Sequence, residues 1–211
     1  MFKKAFTLAE TLLVMAIIGI VATATIPNLM DSYQEDRDVA KLRGVYHDLE
    51  VAYAKAVAEY GPYNQWGSDY YKYLTKYLKS SSCGESLGSC FPSKATMLGV
   101  NLGLSGYTYE LENGVGLLFA KNPSSSNPAT IVVALSGGKG KYQVQRDIFS
   151  FNIDNNGVYP YGRGIDHDSS GKINVNNGYG FAATNWVITN GNMDYLRCAD
   201  KLNWTNQTSC P

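Results

Sequence analysis

The spacing of apolar and polar residues changes twice along this chain. From Thr11 to Pro27 the positions are apolar or small, and none is charged. No face is singled out, so a helix here is apolar all round, the pattern of a segment buried in a large core or in lipid. The run is about as long as the lower limit for crossing a bilayer. From Met30 to Tyr60 the pattern turns amphipathic. Val39, Leu42, Tyr46, Leu49, Tyr53, Ala56 and Tyr60 recur at steps of three and four, which marks one face of a helix. Glu35, Asp36, Arg37, Asp38, Lys41, Arg43, Asp48, Glu50 and Lys55 lie mostly off that face, and Gly61-Pro62 ends the helix.

Beyond Pro62 a short helical stretch is predicted over Ser68–Lys79, then a Ser/Gly loop from Ser80 to Cys90. Strand signals follow at Tyr107–Leu111, Val115–Ala120, Thr130–Leu135, Asp147–Ile153 and Val158–Tyr161. Glu112-Asn113-Gly114 reads as a hairpin turn between the first two. Lys121–Pro128 reads as a loop, and Asp154-Asn155-Asn156-Gly157 as another turn. The pattern predicts an α+β chain in which a long N-terminal helix, membrane half first and amphipathic half second, packs on a small antiparallel meander of three to five strands.

Composition sharpens this picture. Of 211 residues, 45% are hydrophobic and 17% charged, which excludes a disordered chain. Formal net charge is zero, so no nucleic-acid partner is expected. Several of the 16 tyrosines cluster at Tyr63, Tyr70, Tyr71, Tyr73 and Tyr77. They suit a helix-to-sheet seam or a contact surface. All four cysteines, Cys83, Cys90, Cys198 and Cys210, follow the apolar segment, so on a membrane-anchored reading they sit where disulfides persist. Local pairing of Cys83 with Cys90 and Cys198 with Cys210 is the simplest of three connectivities. There is no CxxC, and His47 and His167 lie far from the cysteines in sequence, which disfavours structural zinc.

The start of the chain admits three readings. Lys3 and Lys4 precede the apolar run, which keeps that end in the cytoplasm. A secretory leader would be cut near Ala22-Thr23-Ala24, giving a mature start near Thr25. A plain anchor would stay intact. Both leave Glu10, at the mouth of the apolar run, as an unexplained cost. A cut between Ala5 and Phe6 gives Glu10 a function. Its carboxylate neutralises the new ammonium on Phe6, its own or a neighbour's, which would otherwise be costly in hydrocarbon. Staggered helices paired in this way would share a fixed axial register.

Lys3-Lys4-Ala5-Phe6-Thr7-Leu8-Ala9-Glu10-Thr11-Leu12-Leu13-Val14, with Ile17-Ile18-Gly19-Ile20-Val21-Ala22 and Ile26-Pro27, resembles the N-terminal cleavage and methylation segment of type IV prepilins and type II secretion pseudopilins. The resemblance covers roughly the first 30 residues. Ala5 stands where the family usually has glycine, and Ala9 where isoleucine is common. The resemblance implies a leader over 1–5, a transmembrane and assembly helix over 6–29, its amphipathic continuation over 30–61 and a pilin-like head over 62–211. It implies prepilin peptidase as the enzyme that cuts between Ala5 and Phe6 and methylates Phe6, with Glu10 supporting assembly. Pro27 either bends or loosens the helix, as in filaments of the family, or ends a membrane helix. The implied partners are other copies or related pilins, an inner-membrane assembly platform and membrane lipid. The implied location is a single pass of the inner membrane with the head outside the cytoplasm, then an extracellular pilus or periplasmic pseudopilus. A disulfide-closed C-terminal loop is likewise familiar in type IV pilins.

Candidate chemistry elsewhere is sparse. Asp166, Asp168 and Ser170, followed by Gly171, place oxygen ligands at the cadence that opens a calcium loop, as does Asn152 to Gly157. The positions where a bidentate glutamate belongs hold Asn177 and Arg163, and ordinary Asx turns explain both loops equally. No GxSxG, P-loop or HExxH is present, so no catalytic set emerges. A structural filament subunit is the leading expectation. The alternatives are a membrane-tethered binding module for a glycan, DNA or a surface, and an exported soluble enzyme.

Overall fold

The computed structural model describes residues 7–85, 87–97, 100–121, 128–139, 143–178 and 180–211, with the side chains at 27–29, 31, 97 and 100 outside that set. The expected leader, the Ala5–Phe6 bond, most of the Lys121–Pro128 loop and the Pro27 side chain therefore lie outside the described residues. The chain divides into two compact units, 1–37 and 38–211, and helix α1, Leu8–Tyr60, contributes to both.

In the first unit, Leu8–Ile26 forms 19 residues of helix long and apolar enough to cross a membrane, none of it buried. At about 1.5 Å per residue it rises ~28 Å, close to the thickness of a bilayer's hydrocarbon core.

In the second unit, α1 buries Val39, Leu42, Val45, Leu49, Ala52 and Ala56, with Tyr46, Tyr53 and Tyr60 half-buried. The stripe is wider than the spacing predicts, because a helix lying on a sheet covers more than one row of side chains. Gly61 ends the helix in the left-handed region (φ +81°), its N–H donating to the Val57 carbonyl at 3.0 Å.

Six strands form one antiparallel sheet in the order β1-β4-β5-β6-β7-β8: β1 Ser80–Gly84, β4 Gly106–Leu111, β5 Gly116–Ala120, β6 Ala129–Ala134, β7 Ile148–Asp154 and β8 Gly157–Pro160. Strands β2 (Thr96–Met97) and β3 (Val100–Asn101) pair separately. From β4 to β8 the sheet is the expected meander, and Asn113-Gly114 turns β4 into β5 with Gly114 at φ +76°. One face of the sheet, with Leu117, Phe119, Ile131, Val133, Phe149 and Phe151, belongs to the main core with α1. The other face is also covered: Leu118, Val132, Ala134 and Ile148 pack with Phe91, Ala95, Val144 and Phe181. Burial on both faces explains why β5 and β6 read as apolar runs with little alternation, whereas β7 alternates as expected, with Ser150 and Asn152 between Phe149, Phe151 and Ile153. Each fully buried aliphatic or phenylalanine side chain there contributes about 1.5–3 kcal/mol relative to exposure.

The structure departs from the sequence pattern at three places. Ser80–Gly84, expected within a loop, is edge strand β1, paired with β4. Serine and glycine have little strand preference, so the pairing comes from the open edge of β4 and not from local propensity. The Ser68–Lys79 helix contracts to α2, Tyr70–Thr75, after 3-10 turns at Tyr63–Gln65 and Gly67–Asp69. Helix α3, Ala183–Asn190, and the single turn α4, Tyr195–Cys198, organise the tail. The Arg43 guanidinium donates to the Ile188 carbonyl at 2.8 Å and the Thr189 carbonyl at 3.3 Å. It thereby satisfies the open C-terminal carbonyls of α3 and complements that helix's dipole.

Candidate functional site: the helix N-terminus and the disulfide-closed tail

Thr7-Leu8-Ala9-Glu10 folds as a capping box. The Glu10 N–H donates to Thr7 Oγ1 at 3.2 Å, and the Thr7 N–H donates back to Glu10 Oε2 at 2.8 Å. The Thr7 hydroxyl donates to the same oxygen at 2.9 Å. Glu10 thus aims its carboxylate at the beginning of its own helix, where a helix dipole favours negative charge. Its second oxygen has no hydrogen-bond partner among the described residues. Capping also removes part of the cost that Glu10 would otherwise impose at the edge of an apolar segment. The signal for this cap is the local T-x-x-E motif, which overlaps the residues that resemble a cleavage and methylation segment.

Two disulfides close loops in the head. Cys83 joins Cys90, and Cys198 joins Cys210. The first holds β1 beside the segment that covers the second sheet face, where Phe91 is fully buried. The second is anchored by two residues with no signal in the sequence. Asp194 Oδ2 accepts from the Cys210 N–H at 2.7 Å, while Oδ1 pairs with Arg197. Asn192 Oδ1 accepts from Trp186 Nε1 at 3.0 Å and from the Asp194 N–H at 3.1 Å, and its amide donates to the Thr208 carbonyl at 2.9 Å. Nothing in composition distinguishes these from other polar residues; only the fold brings them under the tail.

The Asp166–Gly171 loop places its two carboxylates in separate networks. Asp166 is 1% exposed and accepts from Asn185 Nδ2 at 2.6 Å, with His167 Nδ1 at 3.0 Å. Asp168 Oδ1 accepts from the Ser170 N–H at 2.8 Å, from the Ser170 hydroxyl at 2.5 Å and from the Lys172 N–H at 3.1 Å. This is an Asx turn, and the Ser170 bonds lead in holding the Asp168 carboxyl below its usual range. Among the described residues no group of three or more His, Cys, Asp or Glu gathers as a metal site.

Of the clustered tyrosines, Tyr70 and Tyr71 are buried at the seam between α2 and the sheet, and Tyr63, Tyr73 and Tyr77 are partly buried against it. The Tyr70 hydroxyl lies 3.2 Å from both the Ala120 and Thr130 carbonyls. Burial pushes that hydroxyl far above its ordinary pKa.

No curated protein and no solved structure matches the chain. A family model, the prokaryotic N-terminal methylation motif, matches residues 1–26. With an apolar helix beginning at Leu8 and an α+β head consistent with a pilin-like fold, the chain carries the type IV prepilin and pseudopilin signal.

Proposed function

We propose that this chain is a structural subunit of a type IV pilus or a type II secretion pseudopilus. Prepilin peptidase cuts between Ala5 and Phe6 and methylates Phe6, and the chain then assembles through α1. The observation that carries this reading is the uncharged first part of α1, Thr11 to Ile26, apolar on every side, with one carboxylate, Glu10, at its mouth. Glu10 uses one oxygen in its own helix cap and keeps the other unpartnered among the described residues. Cleavage before Phe6 leaves Thr7 in place, so the cap survives processing and the free oxygen can meet an ammonium from its own or a neighbouring chain. Before assembly the helix holds the subunit in the inner membrane with its head outside the cytoplasm. Other copies or related pilins and the assembly platform are its protein partners.

The mass of the N-terminal peptide from the native host tests processing. A peptide beginning at N-methylated Phe6 is expected; a start near Thr25 or an intact Met1 would remove the filament reading. Glu10→Ala is expected to leave the protein in the membrane and abolish or strongly reduce filaments. Normal filaments from that variant would sink the pairing argument.

A further inference from the structure

Two surface grooves in the 38–211 unit meet at the edge of the sheet, sharing Tyr159 of β8 and Arg163 just after it. The larger, about 780 Å³, runs between α1, the β7–β8 turn and α3; the smaller, about 430 Å³, continues over the second sheet face. The larger is lined chiefly by polar groups. The Tyr159 hydroxyl donates to Asp154 Oδ2 at 3.1 Å, and the Tyr46 hydroxyl donates to the Val158 carbonyl at 3.4 Å, near the Glu50 carboxylate. Burial, then the neighbouring carboxylate, pushes each tyrosine up to about 12, so both stay neutral, and the Tyr159 hydroxyl holds Asp154 in place. The Tyr46 ring stacks on Phe151, with centroids 5.3 Å apart, which makes that wall rigid. Arg163 is exposed and makes no hydrogen bond or ion pair among the described residues, although its charge is felt at both tyrosines.

This arrangement selects among ligand classes. Phosphate, sulfate or nucleic acid would face Glu50 and Asp154, and a lone ammonium would face Arg163. An extended peptide cannot add to the sheet here. Pro160 has no N–H to offer, and Tyr46 already lies 3.4 Å from the Val158 carbonyl. A hydroxyl both donates and accepts, so a polyol satisfies acceptors and donors set side by side without carrying net charge. We propose that this surface binds a neutral saccharide, whose hydroxyls donate to Glu50 and Asp154 and accept from Arg163 and Asn156. This goes beyond the filament role and does not depend on it.

The test is saturation-transfer NMR on the full chain in lauryldimethylamine oxide, a detergent without a sugar headgroup. The probes are maltohexaose, xylohexaose and the N-acetylglucosamine hexamer at millimolar concentration. Transfer to at least one probe is expected. Arg163→Ala and Asn156→Ala should weaken it by on the order of tenfold, the loss of hydrogen bonds involving a charged or well-placed group. Lys121→Ala, whose side chain pairs with Glu85 elsewhere on the head, should leave it unchanged. Circular dichroism confirms that the variants fold. No transfer to any probe, or transfer indifferent to both groove variants, overturns the proposal. Binding only to heparin, with steep salt dependence, would make this an anion site and also overturns it. Filament formation should survive Arg163→Ala; lost filaments with transfer retained would make the groove an interface between copies and equally overturn the assignment.

Discussion

Helix α1 contains two stretches with opposite burial. From Leu8 to Ile26 it is apolar on every side apart from Glu10 near its start, and none of it is buried. From Val39 to Ala56 it carries many charges, yet Leu42, Val45, Leu49, Ala52 and Ala56 are each fully buried. Apolarity alone therefore does not determine burial within this chain. The second stretch has a face and matches it to a sheet in the same chain. The first has no face, so its complement is a surrounding medium or a ring of other helices. Asymmetry binds a helix to its own fold, and symmetry leaves it available to others.

Paired truncations should break the comparison most strongly. Leu49→Ala removes a fully buried side chain and should cost the head about 2–5 kcal/mol in denaturant unfolding of the detergent-solubilised chain. Ile17→Ala, at an exposed position of the same helix, should leave head stability within about 0.5 kcal/mol. Equal losses would mean that the two stretches unfold as one. A charge probes the other half. Val14→Lys should make membrane insertion less favourable by about 2.5–3.5 kcal/mol, read as protein released from the membrane fraction. Val51→Lys, at a position 37% exposed on the amphipathic stretch, should change neither insertion nor folding.

These contrasts were largely legible in sequence, for a physical reason. Helical period and the absence of charge are local properties, and Val39, Leu42, Leu49 and Ala56 could be placed on one face by counting. The Asn113-Gly114 turn was equally local. What escaped was non-local. Ser80–Gly84 becomes a strand because β4 offers an edge, and the second apolar layer exists because Phe91 and Phe181 arrive from distant segments. The candidate site divides in the same way. The Thr7–Glu10 cap is a four-residue motif, written in the chain. The Asn192 and Asp194 anchors of the tail depend on where Trp186, Thr208 and Cys210 come to rest.

A smaller effect sharpens how the amphipathic half uses its charges. Arg43 lies on the exposed side of α1 yet reaches the last carbonyls of α3. Arg43→Met keeps much of the stem's packing and removes the donors, so it should cost about 1 kcal/mol. The loss should appear as faster hydrogen exchange confined to Ala183–Asn190. Uniformly faster exchange across the head would mean that Arg43 supports the whole fold and not one helix end.

The smallest expected effect lies at the end of α1, where Glu59 puts a negative charge in the last turn, the wrong end of a helix for a carboxylate. It is held by α2 and the residues after it: Lys76 Nζ donates to Glu59 Oε1 at 2.5 Å, and the Tyr77 hydroxyl donates to Oε2. The Lys76 bond, followed by those of Tyr77 and Tyr60, lowers the Glu59 carboxyl from 4.5 to about 2. A carboxylate depressed by folding stabilises the native state fully above its unfolded value, and that contribution fades as pH falls from 4.5 toward about 2. Tyr77 is raised from 10.0 to about 12, chiefly by its bond to Glu59, so its share fades as pH rises across that interval. Glu59 and Lys76 are solvent-exposed, which keeps the effect small. The urea midpoint of the wild type should therefore exceed that of Glu59→Gln slightly at neutral pH and converge with it near pH 2. A gap that stays constant down to that pH would show that Glu59 contributes through something other than its charge.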